Sequence, residues 1–96
     1  MIRNFSDQQL ERLIADGPSK KTRRIPTELY RAIVRKVAYL NQAVRLGDLR
    51  VPPANHLERL QGDLESFYSI RVNDQFRIVF RWQDGDVLDA SFQDYH

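Results

Sequence analysis

Between residues 67 and 93 apolar and polar side chains alternate in three successive runs. Tyr68, Ile70 and Val72 share a face of the first run, Phe76, Ile78, Phe80 and Trp82 a face of the second, and Leu88, Ala90 and Phe92 a face of the third. A period of two marks strands with one buried side. Cross-strand partners must share a face, so the alternation also predicts register. A two-residue hairpin loop at Asp84-Gly85 pairs Phe80 with Asp89 and so places a carboxylate on the core face. A three-residue loop, Gln83-Asp84-Gly85 with Gly85 left-handed, instead pairs Phe80 with Leu88, Ile78 with Ala90 and Phe76 with Phe92, and is the expectation adopted. The same test makes Asn73-Asp74-Gln75 a loop, with Val72 opposite Phe76 and Ile70 opposite Ile78.

Upstream the period changes to that of a helix. Ile2-Arg3-Asn4-Phe5 is a short strand candidate. Ser6, with Gln9 three residues on, forms a capping box, Phe5 and Leu10 a hydrophobic staple, and Leu10, Leu13 and Ile14 one apolar face that ends at Gly17-Pro18. Pro26 and Thr27 open a second helix with a buried stripe of Leu29, Ile33, Val37 and Leu40, flanked by Tyr30 and Val34. Arg31 and Arg35 point elsewhere. The helical pattern stops around Gly47, Pro52-Pro53 predicts an extended loop, and residues 57–60 read as a short strand leading into a Gly62-Asp63 turn. The order predicts an α+β fold, with two N-terminal helices packed on one face of an antiparallel sheet. The other face is left polar and bears arginines.

Composition narrows the function classes. The 96 residues make one domain, 1–96, with a single core. With no cysteine there is neither a disulfide nor a thiolate metal site, and His56 and His96 lack metal-ligand spacing, so no metal and no cofactor are expected. No apolar stretch approaches a membrane span and Met1-Ile2-Arg3 does not open a signal peptide, which makes the cytoplasm the expected compartment. The net charge of +2 conceals an asymmetry: eleven Lys/Arg against five Asp/Glu in residues 1–50, four against eight in residues 51–96. A basic half suits contact with a polyanion, an acidic half a different partner.

The polar face carries the candidate chemistry. The expected register sets Arg71 opposite Arg77, and Arg77 opposite Ser91 on its far side, with Arg81, Gln93 and Tyr95 continuing the surface. Opposed arginines repel by a few tenths to about 1 kcal/mol unless an anion lies between them. Two readings fit: guanidiniums that splay into water or meet surface carboxylates such as Asp89, or a phosphate pocket that uses arginine's fork. No glycine-rich phosphate loop, serine elbow or metal cluster is present. RNA, however, can be cut by a base that draws the 2′-OH proton, a cation that stabilises the phosphate and an acid that protonates the leaving 5′-oxygen. Arg77 suits the cation, and Tyr95 and His96 stand where the last strand ends. A lone C-terminal histidine is more often a frayed surface residue than a catalyst, and the tyrosine also reads as packing at a sheet edge. The Lys20-Lys21-Thr22-Arg23-Arg24 run is either a solvated linker or a stretch that follows a nucleic-acid backbone.

Three stretches together resemble a known family: Leu57-Glu58-Arg59-Leu60-Gln61-Gly62-Asp63, then the run from Tyr68-Ser69-Ile70-Arg71 through Phe76-Arg77-Ile78-Val79-Phe80, then Asp94-Tyr95-His96 at the end. With Ile2-Arg3-Asn4-Phe5 and Leu46-Gly47-Asp48-Leu49 they make nearly the whole chain similar to the HigB toxins of the RelE/ParE superfamily. The resemblance implies a compact fold like that of microbial ribonucleases and a toxin that cuts mRNA on translating ribosomes. It also implies a HigA-type helix-turn-helix antitoxin, through which alone the toxin reaches operator DNA. Arg77 matches the family's strand arginine near the scissile phosphate, and Asp94, Tyr95 and His96 its functional C-terminal tripeptide. Arg71 is expected to bind phosphate, and Lys20, Lys21, Arg23 and Arg24 to dock on ribosomal RNA. Where some members place a histidine, this chain has Glu58, which can act as a base but not as a phosphate-binding cation. ParE-type relatives act on DNA gyrase, so a gyrase toxin, or an inactive toxin kept only as antitoxin partner in repression, is the alternative.

Overall fold

The computed structural model describes residues 1–62 and 66–95. The chain forms helix α1 (Gln8–Asp16), helix α2 (Tyr30–Gln42) and strands β1 (Glu58–Arg59), β2 (Phe67–Arg71), β3 (Phe76–Gln83) and β4 (Asp86–Asp94). The four strands form one antiparallel sheet in the order β1-β2-β3-β4, so the α+β class is as expected. Leu10 and Leu13 of α1, Ile33, Val37 and Leu40 of α2, and Ile70, Ile78, Phe80, Ala90 and Phe92 of the sheet belong to one buried cluster. Two aromatic stacks tie neighbouring strands within it, Tyr68 on Phe80 and Phe76 on Phe92, with ring centroids 6.2 and 4.8 Å apart.

The β2–β3 register is the expected one, with Ile70 opposite Ile78 and Arg71 opposite Arg77. The β3–β4 register is not. The loop is the two-residue Asp84-Gly85, both at positive φ (52° and 86°) as a type I′ turn requires, with Gln83 opposite Asp86 and Trp82 opposite Val87. The conflict at Phe80 is relieved by a β-bulge. Partners shift by one residue between Arg81↔Leu88 and Val79↔Ser91, so Asp89 and Ala90 together oppose Phe80. Asp89, at φ 54°, turns out of the core while Ala90 stays in it. Val87 therefore takes the buried place assigned to Leu88, and Arg77 faces Gln93 rather than Ser91.

Asp89 is held by distant parts of the chain. Its carboxylate accepts from Asn4 Nδ2 (2.7 Å) and Arg81 Nε (2.8 Å), and its N–H donates to Asn4 Oδ1 (3.1 Å). The Asn4 and Arg81 bonds hold its carboxyl below the usual carboxylate range. Residues 2–5 thus form two isolated bridges parallel to β4, Ile2 with Val87 and Phe5 with Ala90, instead of a continuous strand.

Helix α1 also starts one residue later than predicted. Asp7, not Ser6, is the N-cap, accepting from the N–H groups of Gln9 and Leu10 (3.1 and 3.2 Å). Ser6 instead donates its hydroxyl to the Asp89 carbonyl. The stretch at Lys20–Thr22 is an ordered 3₁₀ turn capped by Ser19, not a loose linker; its Thr22 is buried, as is Ile25 just after it. The extended stretch expected at Pro52-Pro53 is short: Val51 and Pro52 are extended, between 3₁₀ turns at Leu46–Arg50 and Pro53–Asn55. The Gly62-Asp63 turn lies partly outside the described residues. Among the described residues no helix is long and apolar enough to cross a membrane.

Asp7 gathers the cap, an ion pair with Arg24 and the N–H of Phe92 (3.0 Å) on a nearly buried carboxylate. Burial alone would raise its pKa, but the Arg24, Phe92 and Leu10 bonds outweigh it and hold the group below its ordinary value. The stabilisation is therefore full above about pH 4 and is lost as pH falls through the folded value. Asp7→Ala is expected to cost about 2–3 kcal/mol at neutral pH. In denaturant titrations the gap between the two proteins should narrow at pH 3.

Candidate active site

Alternation along the sheet places Ser69 and Arg71 of β2, Arg77 and Val79 of β3, and Ser91 and Gln93 of β4 on the side away from the main core. Glu58 of β1 pairs with Ser69 at the edge. On this face a cleft of about 380 Å³ is lined by His56, Glu58, Arg71, Asn73, Asp74, Arg77 and Tyr95.

Arg77 forms its floor. The side chain is only 11% exposed, and its nitrogens are distributed among fixed acceptors. Nε donates to the fully buried hydroxyl of Ser69 (2.7 Å), Nη2 to the carbonyl of His56, and Nη1 lies 3.8 Å from Glu58 Oε1. Burial lowers its pKa, while Glu58 and Tyr95 raise it and Arg71 lowers it further. An arginine starts so far above neutrality that it keeps its charge. The repulsion expected between the opposed arginines is met separately on each strand. Arg77 faces Glu58, whereas Arg71 folds back on its own turn, with Nε on the Asn73 carbonyl (3.1 Å) and Nη2 on Asp74. Asp89 neutralises Arg81, not this pair. Such an arrangement offers a desolvated, rigid cation beside a second cation and an exposed carboxylate, which suits a phosphodiester.

Of the residues predicted from sequence, Arg71, Arg77, Glu58 and Tyr95 meet in the cleft. Asp94 sits at the end of β4 opposite Phe76, and its carboxylate accepts from Gln75 Nε2 at 3.2 Å; it does not line the cleft. His96 lies outside the described residues. Lys20, Lys21, Arg23 and Arg24 do not line the cleft either. Arg24 is committed to Asp7 and to the carbonyl of Phe92 (3.0 Å), and it borders a second groove with Ser91 and Gln93. Sequence reasoning missed Ser69 and the His56 carbonyl, and it placed the Asn73-Asp74 turn without its bonds to Arg71. Ser69 had a signal, since it precedes Arg71 by two on the same face. The His56 carbonyl had none, because its orientation comes from a left-handed backbone (φ 44°).

A family model described as the RelE-like toxin of the type II toxin–antitoxin system HigB matches residues 3–96. The chain belongs to the HigB-like toxins. Toxin HigB-1 of Vibrio cholerae is 41% identical over 90 residues, 94% of this chain and 93% of that one. An uncharacterised protein of Haemophilus influenzae is 37% identical over 84 residues, 88% and 81% of the two chains, and the Endoribonuclease HigB of Proteus vulgaris is 29% identical over the whole of both. The chain is thus a HigB-type toxin of a toxin–antitoxin system, from a family with a member named as an endoribonuclease.

Removing the Ser69 hydroxyl should expose what holds Arg77. Ser69→Ala leaves a buried, charged donor without its acceptor, and is expected to destabilise the fold by about 1–3 kcal/mol in denaturant titrations.

Proposed function

We propose that this HigB-type toxin cuts mRNA on translating ribosomes by a metal-independent transesterification. The observation that carries the reading is the buried, three-way-held guanidinium of Arg77 in a cleft shared with Arg71, Glu58 and Tyr95. The relative named as an endoribonuclease supports it. A base takes the proton of the 2′-OH, the freed oxygen attacks phosphorus, the bond to the 5′-oxygen breaks, and an acid protonates that oxygen. The products are a 2′,3′-cyclic phosphate and a 5′-hydroxyl. Arg77 holds the oxygens on which charge grows, and Arg71 is the second cation. Glu58, beside Arg77 and open to solvent, is the base candidate, while Tyr95 and the terminal His96 are the candidates for the proton returned to the leaving group. Asp94 acts on the position of that C-terminal pair through β4.

In this reading residues 1–96 are one domain with both helices on the core face of the sheet, as in the microbial-ribonuclease-like fold of RelE relatives, so that the arginine face is left to RNA. The message runs from the cleft over Gln93 and Ser91 toward Arg24, and Lys20, Lys21 and Arg23 meet ribosomal RNA. The partner that restrains the toxin is a HigA-type helix-turn-helix antitoxin, which alone contacts operator DNA. The compartment is the cytoplasm, where translation occurs.

Primer extension on mRNA from a translating extract tests the nuclease. The intact protein should create new 5′ ends only when ribosomes are present. Arg77→Ala and truncation after Tyr95 should each lower the cutting rate about 100-fold or more while the protein stays folded. No cuts by the intact chain would move the assignment to the gyrase reading, which a supercoiling assay then tests. Replacing Lys20, Lys21 and Arg23 with glutamine should weaken ribosome binding and reduce its log–log salt slope by roughly 0.7–0.9 for each phosphate no longer neutralised.

A further inference from the structure

Lys36, on α2, is 5% exposed, although lysine seldom goes below the surface without a carboxylate. Among the described residues it has none. Its ammonium donates to Asn55 Oδ1 at 2.6 Å and lies 5.8 Å from the Tyr39 ring centroid. Burial, then the neighbouring charges of Arg35 and Arg71, lower its pKa. It stands three residues after Ile33 and four before Leu40, both fully buried, where an apolar side chain would pack without desolvating a charge.

Asn55 gives this burial a destination. It is completely buried, and its amide donates to the carbonyls of Leu49 (3.1 Å) and Val51 (3.3 Å). Its own N–H closes on the Pro52 carbonyl at 2.9 Å, and the N–H of His56 closes on that of Pro53 at 3.0 Å. Residues 49–56 are thereby fixed around one amide, and that amide is tied to α2 by Lys36. The turn ends in the left-handed backbone of His56, whose carbonyl receives Nη2 of Arg77; Glu58 follows two residues later. Lys36, Asn55, the His56 carbonyl and Arg77 form one continuous path from the core to the floor of the cleft.

We propose that Lys36 is a positioning residue for Arg77, acting through Asn55 and the His56 carbonyl, an inference that rests on the ribonuclease reading above. With a methionine in its place the Asn55 oxygen loses its donor, the turn relaxes, and Arg77 loses a fixed acceptor while its other partners remain.

The test uses the full chain, wild type, Lys36→Met, Arg77→Ala and the double variant, each first shown to be folded by circular dichroism. Lys36→Met should lower kcat for mRNA cleavage about tenfold or more with KM within about twofold, because geometry rather than binding is lost. In the Arg77→Ala background the same substitution should cost nothing further. Hydrogen exchange of the Arg77 Nε–H, followed by ¹⁵N NMR without ribosomes or RNA, should quicken about tenfold or more in Lys36→Met. Where Lys36→Met fails to fold, Lys36→Leu, which likewise has no donor for the Asn55 oxygen, takes its place with the same expected directions. A folded variant with wild-type kcat, or with unchanged Arg77 exchange, overturns the proposal, as does an equal loss in both backgrounds. An intact chain that cuts no mRNA overturns the ribonuclease reading instead, and the exchange rates then decide by themselves whether Lys36 holds Arg77.

Discussion

A guanidinium cannot shed its charge near neutral pH, so a chain that buries one must surround it with acceptors whose positions do not relax. Arg77 imposes that requirement on the sheet. Its acceptors come from β2 (Ser69), from the turn before β1 (the His56 carbonyl) and from β1 itself (Glu58), three segments that meet only in the folded state. Each of the first two has a further support: Ser69 is fully buried, and His56 follows a turn built around Asn55. The cost of desolvating the cation is offset by this ring of partners, and what results is a cation that needs no reorganisation when an anion arrives.

The opposite end of the sheet solves a different electrostatic problem. β4 must keep Val87, Ala90 and Phe92 in the core, yet Asp89 sits among them. The bulge expels one residue, and the expelled carboxylate becomes the joint between the N-terminal segment and Arg81. Asp7 does the equivalent for α1, binding Arg24 and the N–H of Phe92 with the carboxylate that also caps the helix. The acidic residues of these joints neutralise Arg24 and Arg81, while Arg77 keeps an exposed carboxylate as its counter-ion and Arg71 a turn carboxylate that is almost wholly in solvent. Both arginines of the cleft are thus paired with carboxylates that lie in solvent.

Much of this is written in local patterns. Periods of two and of 3.6 announce three of the strands and both helices, because burial of one face constrains residues two, three or four apart. The opposition of Arg71 and Arg77 follows from the same alternation and a short turn, and the tripartite HigB resemblance points to the family from the linear chain alone. What local pattern does not reach are choices made between distant residues. Ser6 and Asp7 are both competent caps, and Arg24 and Phe92, far along the chain, select Asp7. The hairpin loop departs from expectation because the alternation in β4 is interrupted, and Asn4 and Arg81 stabilise the residue that interrupts it.

The sequence by itself determined both helices and three of the strands, the α+β class, the β2–β3 register and the family, since each depends on near neighbours or on a long linear motif. Only the tertiary structure decided where the bulge falls, which oxygens hold Arg77 and why α2 carries a lysine inside. Those outcomes depend on which acceptors can satisfy a buried charge, and a charge finds its acceptors across space rather than along the chain.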